Sequence, residues 1–160
     1  MLRAALARLN PALWHAGSVA SIFTRIIDGE LPGRFVWKDE HAVAFLSIAP
    51  IRPGHALVVP RQEIDQWTDA PVELITHLTT VAQTIGQAQK DAWEAPRAAL
   101  IIAGFEVPHL HLHTYPAWDL DDLDFGNADP RPDSQDMDEA AERLREALIR
   151  NGHADQVPTK

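Results

Sequence analysis

Apolar positions recur along the chain with two spacings, and each spacing predicts one kind of secondary structure. From Pro71 to about Trp93, apolar residues return every three or four positions, which is typical of an amphipathic α-helix. Pro71 suits the first turn of this helix, because a backbone N–H there would have no partner within the helix. Shorter runs rich in β-branched and aromatic residues predict five strands. We place these strands at residues 35–38, 42–48, 55–59, 98–103 and 109–113.

Two further segments have helical spacing. Residues 21–27 fit a short helix that Asp28-Gly29 closes, and residues 136–149 fit an amphipathic helix near the C-terminus. The polar residues 39–41 are few enough for a hairpin turn, so the first two strands should form an antiparallel pair. Short antiparallel strands with one long inserted helix predict an α+β domain. We expect an antiparallel sheet of about five strands, one long helix and an additional C-terminal helix.

The chain of 160 residues is long enough for one domain with its own core. Residues 1–14 carry arginine and no acid, as transit peptides do, but they lack the usual serines. Because Gly17-Ser18 is typical of a linker, we expect residues 1–17 to be a poorly ordered extension. The main domain should span residues 18–127, and residues 128–160 should form an acidic loop and the C-terminal helix.

Composition narrows the classes of partner. The formal net charge of −9 argues against a broad nucleic-acid-binding surface, and no apolar run approaches the roughly 20 residues of a membrane-spanning helix. The chain has no cysteine, which excludes disulfides and thiolate chemistry and fits a cytoplasmic location. We therefore expect a small molecule or a protein as partner, with neither nucleic acid nor membrane. The carboxylates of residues 119–138 should form a solvated surface.

Three histidines, His109, His111 and His113, stand at alternate positions. In a β-strand this spacing places all three imidazoles on one face, with Leu110 and Leu112 on the other. Imidazole is the side chain whose ordinary pKa lies closest to neutral pH, so converging imidazoles suit the handling of protons and anions or the binding of a metal.

Three uses of this histidine face remain open from spacing alone. A metal could bind the alternating histidines with His55 as a fourth ligand, and Glu106 is the nearby carboxylate. A neutral imidazole could attack a phosphorus centre while its neighbours donate hydrogen bonds to the phosphoryl oxygens and fix the attacker's tautomer. The third use is a polar strand on a solvated face.

The run from His109 to Tyr115 resembles the signature of the histidine triad (HIT) family of nucleotide-binding hydrolases and transferases. Other segments resemble further blocks of that family, in the family's order. These segments are Ser21–Pro32, Ala44-Phe45 and Pro53–Arg61. The resemblance covers residues 18–118 and implies the HIT fold and a homodimer formed across the long helix and the edge strand.

The resemblance also implies roles for single residues. His111 matches the nucleophile that forms a covalent nucleotidyl-histidine, and His113 matches the residue that orients it. His109 and His55 match groups near the phosphate, and the implied substrate is a purine nucleoside phosphoramidate or a (di)nucleotide phosphoanhydride, with no cofactor. The apolar residues that match the purine pocket are Ile22, Phe23, Ile26, Leu31, Phe45 and Ile48. The other expected nucleotide-binding residues are Ser47, Gly104, Glu106 and Val107.

Several positions depart from the family pattern. Ser47 stands where many members have an aspartate that binds the ribose, so a single hydroxyl replaces a two-point carboxylate contact. Glu106 would repel a bound phosphate, so it could instead neutralise a cationic leaving group such as an amine or point away from the site. Ser21 and Thr24 replace the cysteine pair that some members use for structural zinc, and Glu63 replaces a histidine, so we expect no zinc. A non-catalytic nucleotide-binding protein and a metal-dependent hydrolase are the alternative functions.

Overall fold

The computed structural model describes residues 20–159, and the predicted extension over residues 1–17 lies outside them. The helices of the described part are α1 (Ile22–Ile27), α2 (Val72–Trp93) and α3 (Ser134–Arg150). The strands are β1 (Phe35–Lys38), β2 (Ala42–Leu46), β3 (Ala56–Pro60), β4 (Arg97–Ile101) and β5 (Leu112–Ala117). The predicted α+β class is confirmed. Within residues 20–159, no helix has the length and apolar character needed to span a membrane.

The five strands form one sheet in the order β1-β2-β3-β5-β4, and every neighbouring pair is antiparallel. The predicted hairpin between β1 and β2 is confirmed. Asp39 shapes its turn, because one carboxylate oxygen accepts the backbone N–H groups of His41 and Ala42 at 2.8 Å each. This order leaves β1 and β4 at the two edges of the sheet.

The two faces of the sheet are covered by different elements. Successive residues of a strand point to opposite faces. Ala44 and Val58 accordingly pack with α2 and α3 in the larger apolar core, whereas Phe45 and Leu57 pack with α1 in a smaller one. His113 is the cross-strand partner of Leu57, and such partners share a face. His113 therefore lies on the face that α1 covers.

The fifth strand begins later than the histidine spacing predicted. It starts at Leu112, so the prediction of a strand over residues 109–113 is wrong for His109 and His111, which lie just before it. The physical reason is Pro60, which the register would place opposite Leu110 and which has no N–H for a ladder bond. The N–H of Leu110 donates instead to the carbonyl of Ile64 at 2.6 Å.

The acidic stretch after β5 is not entirely a solvated surface. Asp122 is buried and accepts hydrogen bonds from the Trp118 N–H at 2.7 Å and from Nε of Arg52 at 2.5 Å. The expectation of solvated carboxylates is therefore wrong for this residue. A carboxylate has several lone pairs, so one buried aspartate can tie the loop after β5 to the loop before β3.

Candidate active site

Four buried histidines meet on the α1 face of the sheet. His113 belongs to β5, His111 and His109 to the segment before it, and His55 immediately precedes β3. Each of the four is at most 6% exposed. The ring centroids of His111 and His113 are 4.9 Å apart. The structure thus gathers the four residues that the sequence indicated as a catalytic group.

The turn before β3 holds His55 in place. Gly54 has a φ of +84°, in the left-handed region that glycine adopts without strain. Its carbonyl accepts a hydrogen bond from Nε2 of Gln89 on α2 at 2.9 Å. A side chain at this position would collide with the ring of Trp93 in the last turn of the same helix. The backbone of the turn is therefore fixed from two sides before it reaches His55.

One hydrogen bond from the backbone and one between the two rings define where His55 and His113 carry their hydrogens. The N–H of Ile51 donates to Nδ1 of His55 at 3.1 Å, so that nitrogen is an acceptor. The hydrogen of a neutral His55 ring then lies on Nε2, which is 3.0 Å from Nδ1 of His113. His55 donates to that nitrogen, and the hydrogen of His113 lies on its Nε2.

The tautomer of His111 follows from the same argument. Nδ1 of His111 lies 2.7 Å from the carbonyl oxygen of His109, and a carbonyl can only accept a hydrogen bond. Nδ1 therefore carries the hydrogen, and the lone pair of a neutral His111 ring lies on Nε2. The ring of Phe23 packs against His111 edge to face, with 5.0 Å between the centroids. The result is a buried imidazole held from two sides with one nucleophilic nitrogen.

Burial lowers the pKa of all four histidines below the ordinary value, because a charged imidazolium loses its hydration inside the protein. The proximity of the rings to one another acts in the same direction for His55, His111 and His113. For His111, the His109 carbonyl and the Glu106 carboxylate oppose the shift without reversing it. The four rings are therefore neutral at pH 7, as a nucleophilic imidazole must be.

Two cavities lie beside the histidines. The first, which we call the apolar cavity, has a volume of about 420 Å³. The second, the histidine cavity, has a volume of about 360 Å³ and is lined by His55, His111 and His113. Phe23 lines the apolar cavity and contacts His111, so this pair of rings connects the two spaces.

The residues predicted to bind a nucleotide are divided between these cavities. Those that line the apolar cavity are Phe23, Ile26, Leu31, Phe45 and Ile48. Ser47, Gly104 and Glu106 line the histidine cavity. Ile22 and Val107 line neither cavity and pack in the small core around α1. The hydroxyl of Ser47 is engaged by its own turn, since it lies 3.3 Å from both the N–H and the carbonyl of Ala49.

The sequence did not indicate that Phe125, in the loop after β5, reaches the histidine cavity. Phe125 lines this cavity and packs edge to face on His113, with 4.9 Å between the centroids. Its sequence context is an acidic loop, which carries no signal of a ligand site. Phe105 also lines the cavity but is 96% exposed, so an apolar ring stands in solvent at its edge.

The structure gives no support to a metal bound by the four histidines. Among residues 20–159, no three or more histidine, cysteine, aspartate or glutamate side chains are grouped so as to hold a metal ion. The nitrogens assigned above are also engaged: Nδ1 of His55 accepts from the backbone, and Nδ1 of His111 donates to it. The arrangement instead suits a reaction at one nitrogen, Nε2 of His111.

Comparison with known proteins gives consistent matches. The family model for the HIT domain matches residues 28–118. Adenosine 5'-monophosphoramidase HNT1 of Saccharomyces cerevisiae is 34% identical over 101 residues, which are 62% of this chain and 64% of the yeast protein.

Two crystal structures share the fold over most of their length. One is a zinc-bound histidine triad family protein of Mycobacterium smegmatis, with a TM-score of 0.74 and 30% identity, covering 86% of this chain and 99% of that one. The other is a hypothetical histidine triad nucleotide-binding protein of Sulfolobus tokodaii, with a TM-score of 0.70 and 27% identity. This match covers 80% of this chain and 91% of that one.

Proposed function

Because the chain belongs to the HIT family, we propose that it is a nucleotide-binding hydrolase or transferase that forms a covalent nucleotidyl-histidine at His111. Its substrate is a nucleoside phosphoramidate or a (di)nucleotide phosphoanhydride. The yeast relative is named a monophosphoramidase, which supports the first class of substrate. The Sulfolobus relative is described as nucleotide-binding, which supports a nucleotide as the ligand.

The observation that carries this proposal is the tautomer of His111. Its Nδ1–H is committed to the His109 carbonyl at 2.7 Å, which puts the lone pair on the other ring nitrogen. The residue is 2% exposed and lines a cavity of about 360 Å³, so a substrate can reach a ring that bulk water does not surround. A neutral imidazole with a fixed lone pair is an effective nucleophile toward phosphorus.

In the first step, Nε2 of His111 attacks the α-phosphorus and a new N–P bond forms. The bond between phosphorus and the leaving group breaks, and the leaving group takes up a proton from water, which leaves a hydroxide ion that the proton released in the second step neutralises. His111 then carries a positive charge, and its Nδ1–H donates a stronger hydrogen bond to the His109 carbonyl. His113 holds its hydrogen on Nε2, where it can donate to a phosphoryl oxygen, because His55 occupies its Nδ1.

In the second step, water attacks the phosphorus, the N–P bond breaks, and one proton passes to the solvent. The products are a nucleoside monophosphate and the original neutral His111. An acceptor other than water would make the same enzyme a transferase. The protein is unchanged after either outcome, and no cofactor takes part in these steps.

Glu106 and the aromatic residues of the histidine cavity influence which leaving group the site accepts. The Glu106 carboxylate acts on His111 electrostatically, and Phe105 and Phe125 line the same cavity. A carboxylate repels an anionic leaving group and attracts a cationic one. This environment favours an amine over a polyphosphate as the leaving group, so the phosphoramidate is the preferred class.

The nucleoside occupies the apolar cavity in this proposal. Phe23 and Phe45 form an edge-to-face pair on its wall, with centroids 5.6 Å apart, and such faces suit the ring of a purine. Ser47 offers the ribose one hydroxyl that its own turn already engages. Selectivity for the sugar should therefore be weak.

The chain is proposed to act as a homodimer in the cytoplasm. Strand β4 is at an edge of the sheet, and its Leu100 side chain is 49% exposed. A groove of about 630 Å³ runs between this strand and α2. A second copy that covered both elements would bury the exposed apolar surface and pair the free strand edge. Light scattering after size-exclusion chromatography measures the mass of the assembly.

The test of the function is the substitution His111→Asn, assayed on an adenosine phosphoramidate. Loss of the nucleophile should lower kcat by about 1,000-fold or more. Calorimetry should show that the dissociation constant for AMP stays within about threefold, since the binding cavity is intact. The matched control is His77→Asn, because His77 lies on α2, bonds to Asp39 and lines neither cavity.

Two results would contradict the proposal. Wild-type turnover in His111→Asn would mean that another group is the nucleophile. Nucleotide binding by the wild type without turnover on phosphoramidates and dinucleoside polyphosphates would favour a non-catalytic binding protein.

A further inference from the structure

A second polar cluster lies behind the histidines and is not part of the proposed reaction. We call it the polar tie, and it consists of Ser21, Thr24, Glu63 and His109. Ser21 begins α1 and His109 precedes β5, while Glu63 follows β3. One oxygen of Glu63 accepts the Thr24 hydroxyl at 2.5 Å and the Ser21 N–H at 3.0 Å. The polar tie therefore joins three segments that are distant in sequence.

The hydrogens of the polar tie can be placed one after another. Nε2 of His109 lies 2.8 Å from the Pro60 carbonyl, so it carries the hydrogen of the neutral ring. Nδ1 of His109 is then an acceptor, and the Ser21 hydroxyl donates to it at 2.6 Å. The Thr24 hydroxyl donates to Glu63, and the Thr24 N–H donates to the Ser21 oxygen. Every donor in this chain has an acceptor.

The polar tie is connected by hydrogen bonds to His111, the proposed nucleophile. Ser21 and His109 are 8% and 0% exposed, so water competes little for the hydrogen bond between them. The backbone carbonyl of the same His109 accepts the Nδ1–H of His111 at 2.7 Å. The His109 carbonyl binds the Nδ1–H of His111 and so fixes the direction of the lone pair on Nε2. Any movement of residue 109 therefore also moves this lone pair.

Resting on the proposed function, we propose that Ser21 is a positioning residue for the reaction. Its hydroxyl, oriented by Thr24 and Glu63, fixes His109 and through its carbonyl the nucleophilic nitrogen of His111. The polar tie does this by hydrogen bonds alone and needs no metal.

The donor set of the polar tie does not fit zinc, although a related structure is zinc-bound. Zinc sites in proteins are built from thiolate, imidazole and carboxylate ligands. Ser21 and Thr24 offer neutral hydroxyls, and both ring nitrogens of His109 are already engaged. Within residues 20–159 no group of three or more histidine, cysteine, aspartate or glutamate residues could hold an ion. Hydrogen bonds of Ser21 and Thr24 occupy the place where some family members have a cysteine pair.

The kinetic test compares Ser21→Ala with Ser21→Thr in the full chain. Single-turnover formation of the nucleotidyl-histidine should slow by about tenfold in Ser21→Ala, because the nucleophile is less well oriented. The KM should change by less than about threefold. Ser21→Thr keeps the hydroxyl and should restore the rate to within about twofold of wild type. Glu63→Leu should slow the reaction less than Ser21→Ala, since Glu63 is exposed and acts through Ser21.

The matched control is Glu30→Leu. Glu30 is an exposed glutamate just after α1 that pairs with Arg25 and has no part in the polar tie. Its removal should leave the rate unchanged. Ser21 also caps α1, so its removal should lower the melting temperature as well. Melting temperatures of all variants therefore separate the loss of this helix cap from the loss of orientation of His109 and His111.

A second readout does not depend on activity. Imidazole ¹⁵N spectra should show the hydrogen of His109 on Nε2 and that of His111 on Nδ1 in the wild type. Without the Ser21 donor, residue 109 can move away from the Pro60 carbonyl, and its own carbonyl moves relative to His111. Both rings should therefore exchange between tautomers in Ser21→Ala. Zinc analysis of protein purified without a metal-binding tag should give far less than one ion per chain, and a chelator should change neither the rate nor the melting temperature.

The outcomes distinguish this inference from the function on which it rests. If the wild type is active and Ser21→Ala matches it in rate and in tautomers, Ser21 is not a positioning residue, while the function stands. If the wild type has no turnover but the tautomers change in Ser21→Ala, the proposed function fails and the polar tie stands. A full complement of zinc whose removal lowers the rate would overturn the metal-free arrangement.

Discussion

The apolar cavity and the histidine cavity have similar volumes, about 420 and 360 Å³, but their walls differ in chemistry. The first is walled mainly by aliphatic and aromatic side chains, which hold a ligand by its shape and apolar area. The second is walled in part by imidazoles whose hydrogens are fixed by the backbone at Ile51 and His109. In the proposed function, binding and chemistry therefore depend on different residues, and substitutions should separate them.

Apart from the loss of His111 itself, the largest effect should come from removing His55 from the histidine cavity. Without its Nε2–H, Nδ1 of His113 loses its donor and His113 can rotate or change tautomer. His55→Ala should lower kcat by about 100-fold, in the range for loss of acid–base assistance. The dissociation constant for AMP should change by less than about threefold. Steady-state kinetics and calorimetry measure the two quantities, and His77→Ala is the control.

An equal loss of binding and turnover in His55→Ala would contradict the separation of the two cavities. So would an unchanged kcat, since it would mean that the hydrogen bond between His55 and His113 has no part in the reaction.

A smaller effect, on KM and not on kcat, should come from a substitution in the apolar cavity. Leu31 lines it and is only partly buried, so it can be shortened without opening the main core. In the proposed function, Leu31→Ala removes apolar contact with the nucleoside worth about 1.4 kcal/mol, which corresponds to about a tenfold rise in KM. The kcat should stay within about twofold of wild type. A loss confined to kcat would contradict the role of Leu31 in binding at the apolar cavity.

The smallest effect should be that of pH near neutrality. Burial lowers the pKa of His111, so the folded protein keeps this imidazole neutral above the ordinary value of about 6.5 and for some distance below it. The kcat/KM should therefore vary by less than about twofold between pH 8 and 6.5, and fall only as the pH drops through the lowered pKa. A profile whose acid limb is centred above 6.5 would show that His111 is protonated more easily than its burial implies.

The elements with a clear period could be predicted from the sequence, as could the hairpin of the neighbouring strands β1 and β2. The contacts between elements distant in the chain could not. The apolar spacing of α2 gives its end at Trp93, as the structure has it. The limits of β5 depend on what lies across the sheet, because Pro60 of a different strand ends the ladder before His111. No local pattern around His109 carries that information.

The same holds for the site: its histidines could be predicted from the sequence, and the hydrogen bonds that they make could not. The alternating histidines and the segments upstream of them indicated which imidazoles come together. The hydrogen bond between His55 and His113 joins residues 58 positions apart, and that between Ser21 and His109 joins residues 88 apart. Substitutions at Ser21, Thr24 and Glu63 were visible as departures from a family pattern. That they bond to one another and to His109 follows only from the fold.

The glycine before His55 has a consequence for residues far from either cavity. Gly54 has no room for a side chain because the indole of Trp93 fills that space, and Gln89, one helical turn earlier, holds its carbonyl. Two residues of α2, on the opposite face of the sheet, thus set the path by which the His55 ring enters the site. Mutations in the final turns of that helix should alter turnover at long range, and inherited variation at residues 54, 89 and 93 should be correlated.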